Sequence, residues 1–514
     1  MSSNQSVSGT ILNRIKDSFF HRLLHAATIA PDRIALYLED GSSLTYGSLY
    51  ARAGQYATAL LAAGVRQGDR VVVQVEKSPQ TLALYLGTLQ CGAVYVPLNT
   101  AYTREEVAYF LGDAEPKIFV HGGNAIALES RFPQIVFRTL DSAGKGTMAD
   151  AADQSASSTQ IVDAGGADLA AIVYTSGTTG RSKGAMLSHH NLSSNADSLV
   201  KAWGWSDTDV LLHALPIFHV HGLFIALHCA LLTGTPMIWL PKFVASQTLE
   251  RLKDATVLMG VPTFYTRLLA ESGLTRESVE HVRVFISGSA PLTPQTFAEF
   301  EERTGHRILE RYGMSETIIN TTNPLEGERL PGTVGYALPG VQARVADQNG
   351  MERPRGEVGM IEVRGPNVFS GYWRLPEKTR EEIRADGWFI TGDLGVMAED
   401  GRVSIVGRGK DLVISGGYNV YPIEVEEVLD TLPGIVESAV IGVPHPDFGE
   451  AVVAVIVPSE KDLQLEYVLS GLVDRLARFK QPKAIFNVAE LPRNTMGKVQ
   501  KNVLRERYAK TFAR

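Results

Sequence analysis

Tyr174-Thr-Ser-Gly-Thr-Thr-Gly-Arg-Ser-Lys-Gly-Ala-Met-Leu-Ser-His189 follows the apolar run Leu169-Ala-Ala-Ile-Val173 and reads as a strand that ends in a loop suited to a polyphosphate. Gly177, Gly180 and Gly184 let the backbone turn its N–H groups toward an anion. Thr175, Ser176, Thr178 and Thr179 add hydroxyl donors, and Lys183 adds a mobile positive charge. The P-loop pattern G-x-x-x-x-G-K-[ST] does not fit, because Lys183 stands three residues after Gly180 and is followed by Gly184. A polar glycine-rich surface loop would look similar in isolation. The rest of the chain decides between the two.

At 514 residues the chain exceeds one ordinary core and implies at least two domains. Hydrophobic residues make up 44% and charged residues 20%, a balance expected of a soluble globular protein. The net charge of −7 argues against a nucleic-acid or anionic-membrane surface, so a highly anionic ligand would need local clusters of cations. Cys91 and Cys229 offer neither metal spacing nor a disulfide framework, which fits a reducing cytoplasm. Residues 1–20 show no secretory pattern. Residues 211–232 are the most apolar, yet they carry His213, Pro216, His219, His221 and His228 and read as buried chain, not as a membrane span.

Early in the chain, Ile34-Ala-Leu-Tyr37, a helical pattern over residues 50–63 and Arg70-Val-Val-Val-Gln-Val75 alternate as in a wound α/β layer. Residues 141–168, rich in Ala, Ser, Gly and Asp, read as a weakly ordered connection. In Leu215-Pro-Ile-Phe-His-Val-His-Gly222 the two histidines would share a face in strand geometry, as a core pair or as two metal ligands. Thr256-Val-Leu-Met-Gly-Val-Pro262 reads as a buried strand that breaks at Gly260 and restarts as a helix with Pro262 in its first turn. Arg267 falls four residues beyond Thr263 on that helix, either as a solvated charge or as the partner of a second negative charge on a substrate. Arg283, at the far end of the strand leading to Gly288-Ser-Ala290, reads as structural. In Ile308-Leu-Glu-Arg-Tyr-Gly-Met-Ser-Glu-Thr317, Tyr312 offers a face to a base, Thr317 a hydroxyl to a phosphate and Glu316 a hard oxygen to Mg²⁺. Asp393, in Gly387-Trp-Phe-Ile-Thr-Gly-Asp393, can accept both hydroxyls of a ribose.

Thr175 to Gly184, taken with these later motifs in this order, resembles the phosphate-loop signature of the adenylate-forming superfamily: acyl-CoA synthetases, peptide-synthetase adenylation domains and luciferases. The usual Pro-Lys-Gly ending is Ser182-Lys-Gly184 here. The resemblance extends over nearly the whole chain. It implies a large N-terminal domain of wound α/β layers with a β-rich subdomain (residues 1–407), a hinge (408–410) pivoting at Lys410, and a small mobile α+β lid (411–514). For ATP it implies Thr175 to Gly180, Lys183, a purine turn at Gly288, Ser289 and Ala290, then Arg311, Tyr312, Gly313, Met314, Thr317, Asp393, Arg408 and Lys498. Thr178 and Glu316 would hold the metal, and Lys498, Glu316, Thr317 and Lys183 would be catalytic, with Lys498 as the adenylation lysine. His219, Arg267, Ser287 and Met314 would meet the acyl group, and His219, Gly416, Gly417 and Tyr418 would meet CoA.

The activity so implied is ATP-dependent acyl-CoA synthesis through an acyl-adenylate, with Mg²⁺, ATP and CoA. Phe218-His-Val-His-Gly222, Gly260-Val-Pro-Thr263 with Arg267, Ile286-Ser-Gly-Ser-Ala-Pro291 and Glu310-Arg-Tyr-Gly-Met-Ser-Glu316 look most like malonyl-CoA and methylmalonyl-CoA synthetases. Other readings remain: a ligase for another small or aromatic acid, a stand-alone adenylation protein loading a carrier, and a non-catalytic nucleotide-binding protein. Lys498 and Glu316 speak for turnover against the last. Pro492, Gly497 and Lys498 also fit the spacing at which bacterial lysine acetyltransferases modify this family, so an acetyltransferase is an expected partner.

Overall fold

The computed structural model describes residues 18–123, 126–175, 182–415, 418–446, 448–459, 465–473, 475–494 and 497–512. Within them the chain forms four sheets. In the six-stranded one, Val136–Thr139, Ile118–His121, Arg70–Gln74, Val94–Pro97 and Leu169–Thr175 run parallel, and Lys183–Ser188 returns antiparallel along the edge. Val71, Val72 and Val73 are all buried, so both faces of this sheet are covered, as parallel pairing requires. The nine-stranded sheet contains the parallel set Val257–Gly260, Val284–Ser287 and Leu309–Tyr312. A four-stranded antiparallel sheet carries Phe389–Met397 beside Val403–Arg408. The C-terminal sheet, centred on Ile435–His445 and Gly449–Pro458, packs on its own apolar clusters. This is the expected class: a large α/β domain with a β subdomain and a small C-terminal domain.

Local chemistry starts the helices that cover the six-stranded sheet. Thr45 accepts a hydrogen bond from the Ser48 N–H at the head of Tyr46–Ala62. Ser78 does the same for the Thr81 N–H ahead of Pro79–Gln90, with Pro79 in the first turn. Glycines set how closely these helices approach. A Cβ on Gly87 would stand 2.6 Å from the Ala53 carbonyl oxygen, and one on Gly54 would stand 2.5 Å from Ser157 Oγ.

Two expectations are corrected. The stretch 141–168 contains the helix Thr147–Asp153, which buries Met148, Ala149 and Ala152; alanines supply little hydrophobic contrast, so the small buried face was hard to read. His219 and His221 do not lie on a strand: residues 217–219 form a turn, and His221 opens the π-helix His221–Ala226. Gly222 permits that compact turn, since a Cβ there would come within 2.1 Å of the Pro216 carbonyl oxygen. Arg283 is structural, as expected, with Nε at 2.6 Å and Nη2 at 2.9 Å from the two oxygens of Asp209. Among the described residues no helix is long and apolar enough to cross a membrane.

Because Gly87 and Ala53 leave no room for a methyl group, Gly87→Ala must push the two helices apart. We expect a loss of about 1–3 kcal/mol in the large domain, visible as a lower calorimetric Tm of the intact protein. An unchanged Tm would show that the helix pair yields freely at this point.

Candidate active site

Thr175, Gly260, Ser287 and Tyr312 each close a parallel strand at its carboxyl end, where open α/β sheets collect their ligands. Past Tyr312 the backbone doubles back: Asn320 N–H donates to the Tyr312 carbonyl at 2.8 Å and Ile318 N–H to the Met314 carbonyl at 2.7 Å. Only glycine fits at position 313, where a Cβ would lie 1.9 Å from the Ile318 carbonyl oxygen. Ile318 (φ 59°) and Ser289 (φ 74°) take left-handed conformations unusual for side chains of their kind. The turn buries Glu316 and Thr317, and the Thr317 hydroxyl has no partner among the described residues.

Asp393 is the meeting point of the nucleotide half. Tyr312 Oη donates to its Oδ2 at 2.6 Å, and Arg408 Nε lies 2.7 Å from its Oδ1. Arg408 opens onto the short 3-10 turn Gly409–Asp411, whose Asp411 pairs with Arg505 of the C-terminal helix Lys501–Tyr508. The turn bearing Lys498 closes on itself, with Asn494 N–H donating to the Lys498 carbonyl at 2.9 Å and Arg493 Nη1 to the Gly497 carbonyl at 2.6 Å. It rests against the large domain: a Cβ on Gly497 would stand 3.0 Å from Thr263 Oγ1, at the strand-to-helix corner. Lys498 is exposed to water, but the protein around it, then the nearby Arg408 and Lys410, outweigh Asp393 and Asp411 and pull its pKa down to about 8. Lys410, at the expected pivot, is exposed.

The acyl side holds the main surprise. Arg311 is buried beneath the purine turn: a Cβ on Gly288 would lie 2.5 Å from its Cζ. Among the described residues neither its Nε nor its Nη2 has a hydrogen-bond partner, and burial drags its pKa down to about 9. His219 and His221 are near enough to feel that charge; burial foremost, then Arg311, holds both rings neutral at pH 7. His221 Nδ1 sits 3.2 Å from Ser289 Oγ, and the buried Ser287 hydroxyl has no partner among the described residues. Arg267 is exposed on Pro262–Leu269 and has no ion pair among the described residues.

Mg²⁺ fits the oxygen donors present. Glu316 Oε1 lies 3.5 Å from Thr175 Oγ1 and 3.0 Å from Tyr372 Oη, and burial raises the Glu316 pKa, a cost that a cation would relieve. Among the described residues no three His, Cys, Asp or Glu converge, which suits an ion that takes one or two carboxylates and fills its shell with phosphate and water. Ser176, Gly177, Thr178, Thr179, Gly180, Gly416 and Gly417 lie outside the described residues. Tyr418, expected near CoA, is exposed and stacks on Phe479 at 4.8 Å between ring centres.

Three residues had no role in the sequence reading. Glu310 is buried with its pKa pushed up to about 8 by desolvation; it accepts from the Leu292 N–H and so braces the purine turn. Tyr372 and Glu382 contact Lys183 and Glu316. In the sequence, Tyr372 stands in Gly371-Tyr-Trp373, which carries no chemical meaning by itself, and Glu382 looks like any charge at a helix end.

The family model for AMP-binding enzymes matches residues 23–373, and that for the AMP-binding enzyme C-terminal domain matches 424–498. The chain belongs to the AMP-binding enzyme family. This is the adenylate-forming superfamily that its motifs resemble. It is 34% identical to a malonate–CoA ligase of Arabidopsis thaliana, over 98% of this chain and 90% of the relative. It is 32% identical to a long-chain-fatty-acid–CoA ligase of Mycobacterium tuberculosis, over 95% and 98%. The crystal structure of ATP-bound MatB from Rhodopseudomonas palustris superposes with a TM-score of 0.94 at 54% identity, covering 96% of this chain and 99% of that one. Apo MatB, at the same identity and coverage, gives 0.81. The overall arrangement of this AMP-binding enzyme is therefore nearer to that of the ATP-bound form, in keeping with the Gly497–Thr263 contact.

Lys498 is charged below its pKa, and the charge is lost as pH rises through it. The kcat/KM for adenylate formation, followed by ATP–pyrophosphate exchange, should therefore fall along a limb beginning near pH 8. Thioester formation from a supplied acyl-adenylate should lack that limb. A limb that persists unmoved in Lys498→Arg would assign it to another group.

Proposed function

We propose that this enzyme is an AMP-forming CoA ligase for malonate or methylmalonate. The carrying observation is Arg311. A guanidinium buried without partners costs several kcal/mol, and buried polar groups in a native protein are normally satisfied. A cation left in this state beneath the turn at Gly288, near His219, suits a substrate that brings its own anion. The second carboxylate of a C3 or C4 diacid provides one, and the planar fork grips it with two hydrogen bonds. The malonate–CoA ligase relative supports the same reading. Of the two arginines, Arg311 therefore takes the role first given to Arg267, and leaves the nucleotide list; exposed Arg267 is left to attract acids to the cleft.

In this reading the reacting carboxylate attacks the α-phosphorus of ATP in line, and pyrophosphate leaves. Lys498 holds the carboxylate against the α-phosphate, the free Thr317 hydroxyl donates to an α-phosphate oxygen, and Asp393 receives the ribose. Mg²⁺ at Glu316, when bound, neutralises charge on the phosphates. Lys183 and the loop ahead of it cradle the β- and γ-phosphates. For the second step the small domain turns about Lys410, withdraws Lys498 and brings in the strand pair around Tyr418, so that the CoA thiol can displace AMP. An acetyl group on Lys498 would remove the charge that the first step requires.

Truncating one partner of a buried charge pair costs about 3–5 kcal/mol. Arg311→Met should thus lower kcat/KM for malonate by about a hundredfold or more. Propionate, lacking the second charge, should lose far less. Arg267→Ala should change the malonate-to-propionate ratio only modestly. If that ratio holds steady in Arg311→Met, the diacid assignment is wrong.

A further inference from the structure

Tyr372 sets one phenolic hydroxyl between two carboxylates, 3.0 Å from Glu316 Oε1 and 2.6 Å from Glu382 Oε2. The other oxygen of Glu382 meets Lys183 Nζ at 3.0 Å and Lys378 Nζ at 3.2 Å. The Lys183 ammonium also stands 4.1 Å from the centre of the Tyr372 ring. These groups come from distant places: Lys183 opens the edge strand Lys183–Ser188, and Glu382 is the last residue of the helix Pro376–Glu382. The Lys183 and Glu382 side chains are only 14% and 22% exposed, so their attraction is less screened than that of a surface pair. Burial alone would raise the Glu382 pKa, but Tyr372, Lys183 and Lys378 together hold it below the usual carboxylate range.

Lys183 is the cation that follows the phosphate loop, and here a carboxylate of its own chain occupies it. We propose that Glu382 is a positioning residue that stands in for a phosphate group, holding Lys183 when no polyphosphate is bound and competing with pyrophosphate for it after adenylate formation. This rests on the reading of Lys183 as a polyphosphate ligand. An arriving nucleotide must strip Lys183 from Glu382, which weakens binding of every polyphosphate. In return, Lys183 never faces an emptied site alone, so the departing pyrophosphate has a carboxylate ready to replace it.

The test uses the full-length protein and magnesium pyrophosphate as the probe, with binding followed by titration calorimetry. Glu382→Gln removes the competing charge but keeps a hydrogen-bonding side chain beside Tyr372. It should tighten pyrophosphate binding about five- to tenfold and lower the KM for ATP. Glu382→Asp, which draws the carboxylate back by one methylene, should shift both in the same direction and serves if the glutamine variant folds poorly. Lys183→Ala should weaken pyrophosphate, and adding Glu382→Gln to it should then change nothing. Unchanged or weaker binding in both Glu382 variants, with Lys183→Ala still weakening it, would overturn the competition. If Lys183→Ala leaves pyrophosphate binding intact, Lys183 is not a phosphate ligand and the proposal falls with it.

Discussion

The carboxylate of Asp393 ties the end of a central strand to the turn that leads into the small C-terminal domain. One oxygen is held by Tyr312, at the carboxyl end of a central strand, and the other by Arg408, the last residue before the turn that leads into the small domain. Both partners hold the carboxylate in one orientation, the pre-organisation that its proposed role at the ribose would need. Through Arg408 the same interaction fixes where the chain leaves the large domain. From there Asp411 and Arg505 carry the C-terminal helix, and the Gly497 turn reaches back to Thr263.

The buried cations separate into those that hold the fold and those that await ligands. Lys77 is fully satisfied: its Nζ donates to the carbonyls of His213 at 2.7 Å and Leu240 at 2.6 Å, and to His213 Nδ1 at 2.8 Å. Arg283 is likewise spent on Asp209 and the Trp203 carbonyl. Neither has anything left to offer a substrate. Arg311, as buried as Lys77, has two nitrogens sealed from water and unpaired among the described residues, and two neighbouring histidines that stay neutral beside it. Lys183 lies between these cases, paired with a carboxylate that a stronger anion can displace.

Much of this was legible because glycine and proline punctuate it. Gly260 with Pro262 marked the strand-to-helix corner, and the structure has Val257–Gly260 followed by Pro262–Leu269. The motif around Tyr312 and the glycine before Asp393 were likewise visible, since each needs unusual backbone or a specific acceptor. The proposed move of Arg311 from the nucleotide to the acid follows from strand parity. Successive residues of Leu309–Tyr312 face opposite sides, so once Tyr312 is given to the nucleotide, Arg311 must face away from it. That signal was present and unused. No local pattern could have given the Lys183–Glu382 pair, which joins residues 199 apart through the packing of a helix against a sheet edge.

Two demands on one site explain why its parts are built so differently. In the proposed reaction, holding ATP and the acid calls for donors that do not move, and the candidates sit at strand ends, held by close contacts such as Gly313 beneath Ile318 and Gly288 above the Arg311 side chain. Converting the adenylate to a thioester calls for a charge that can be taken away, because a lysine that stabilises the acyl–phosphate contact also blocks the path to it. Lys498 meets that demand by its mounting: a short turn, closed by its own Asn494 and Arg493, touching the large domain through a glycine at Thr263. A side chain at position 497 would press into Thr263, so glycine permits the close fit there. Rigidity is invested where the substrates are recognised, and weak contact where the chemistry must change hands.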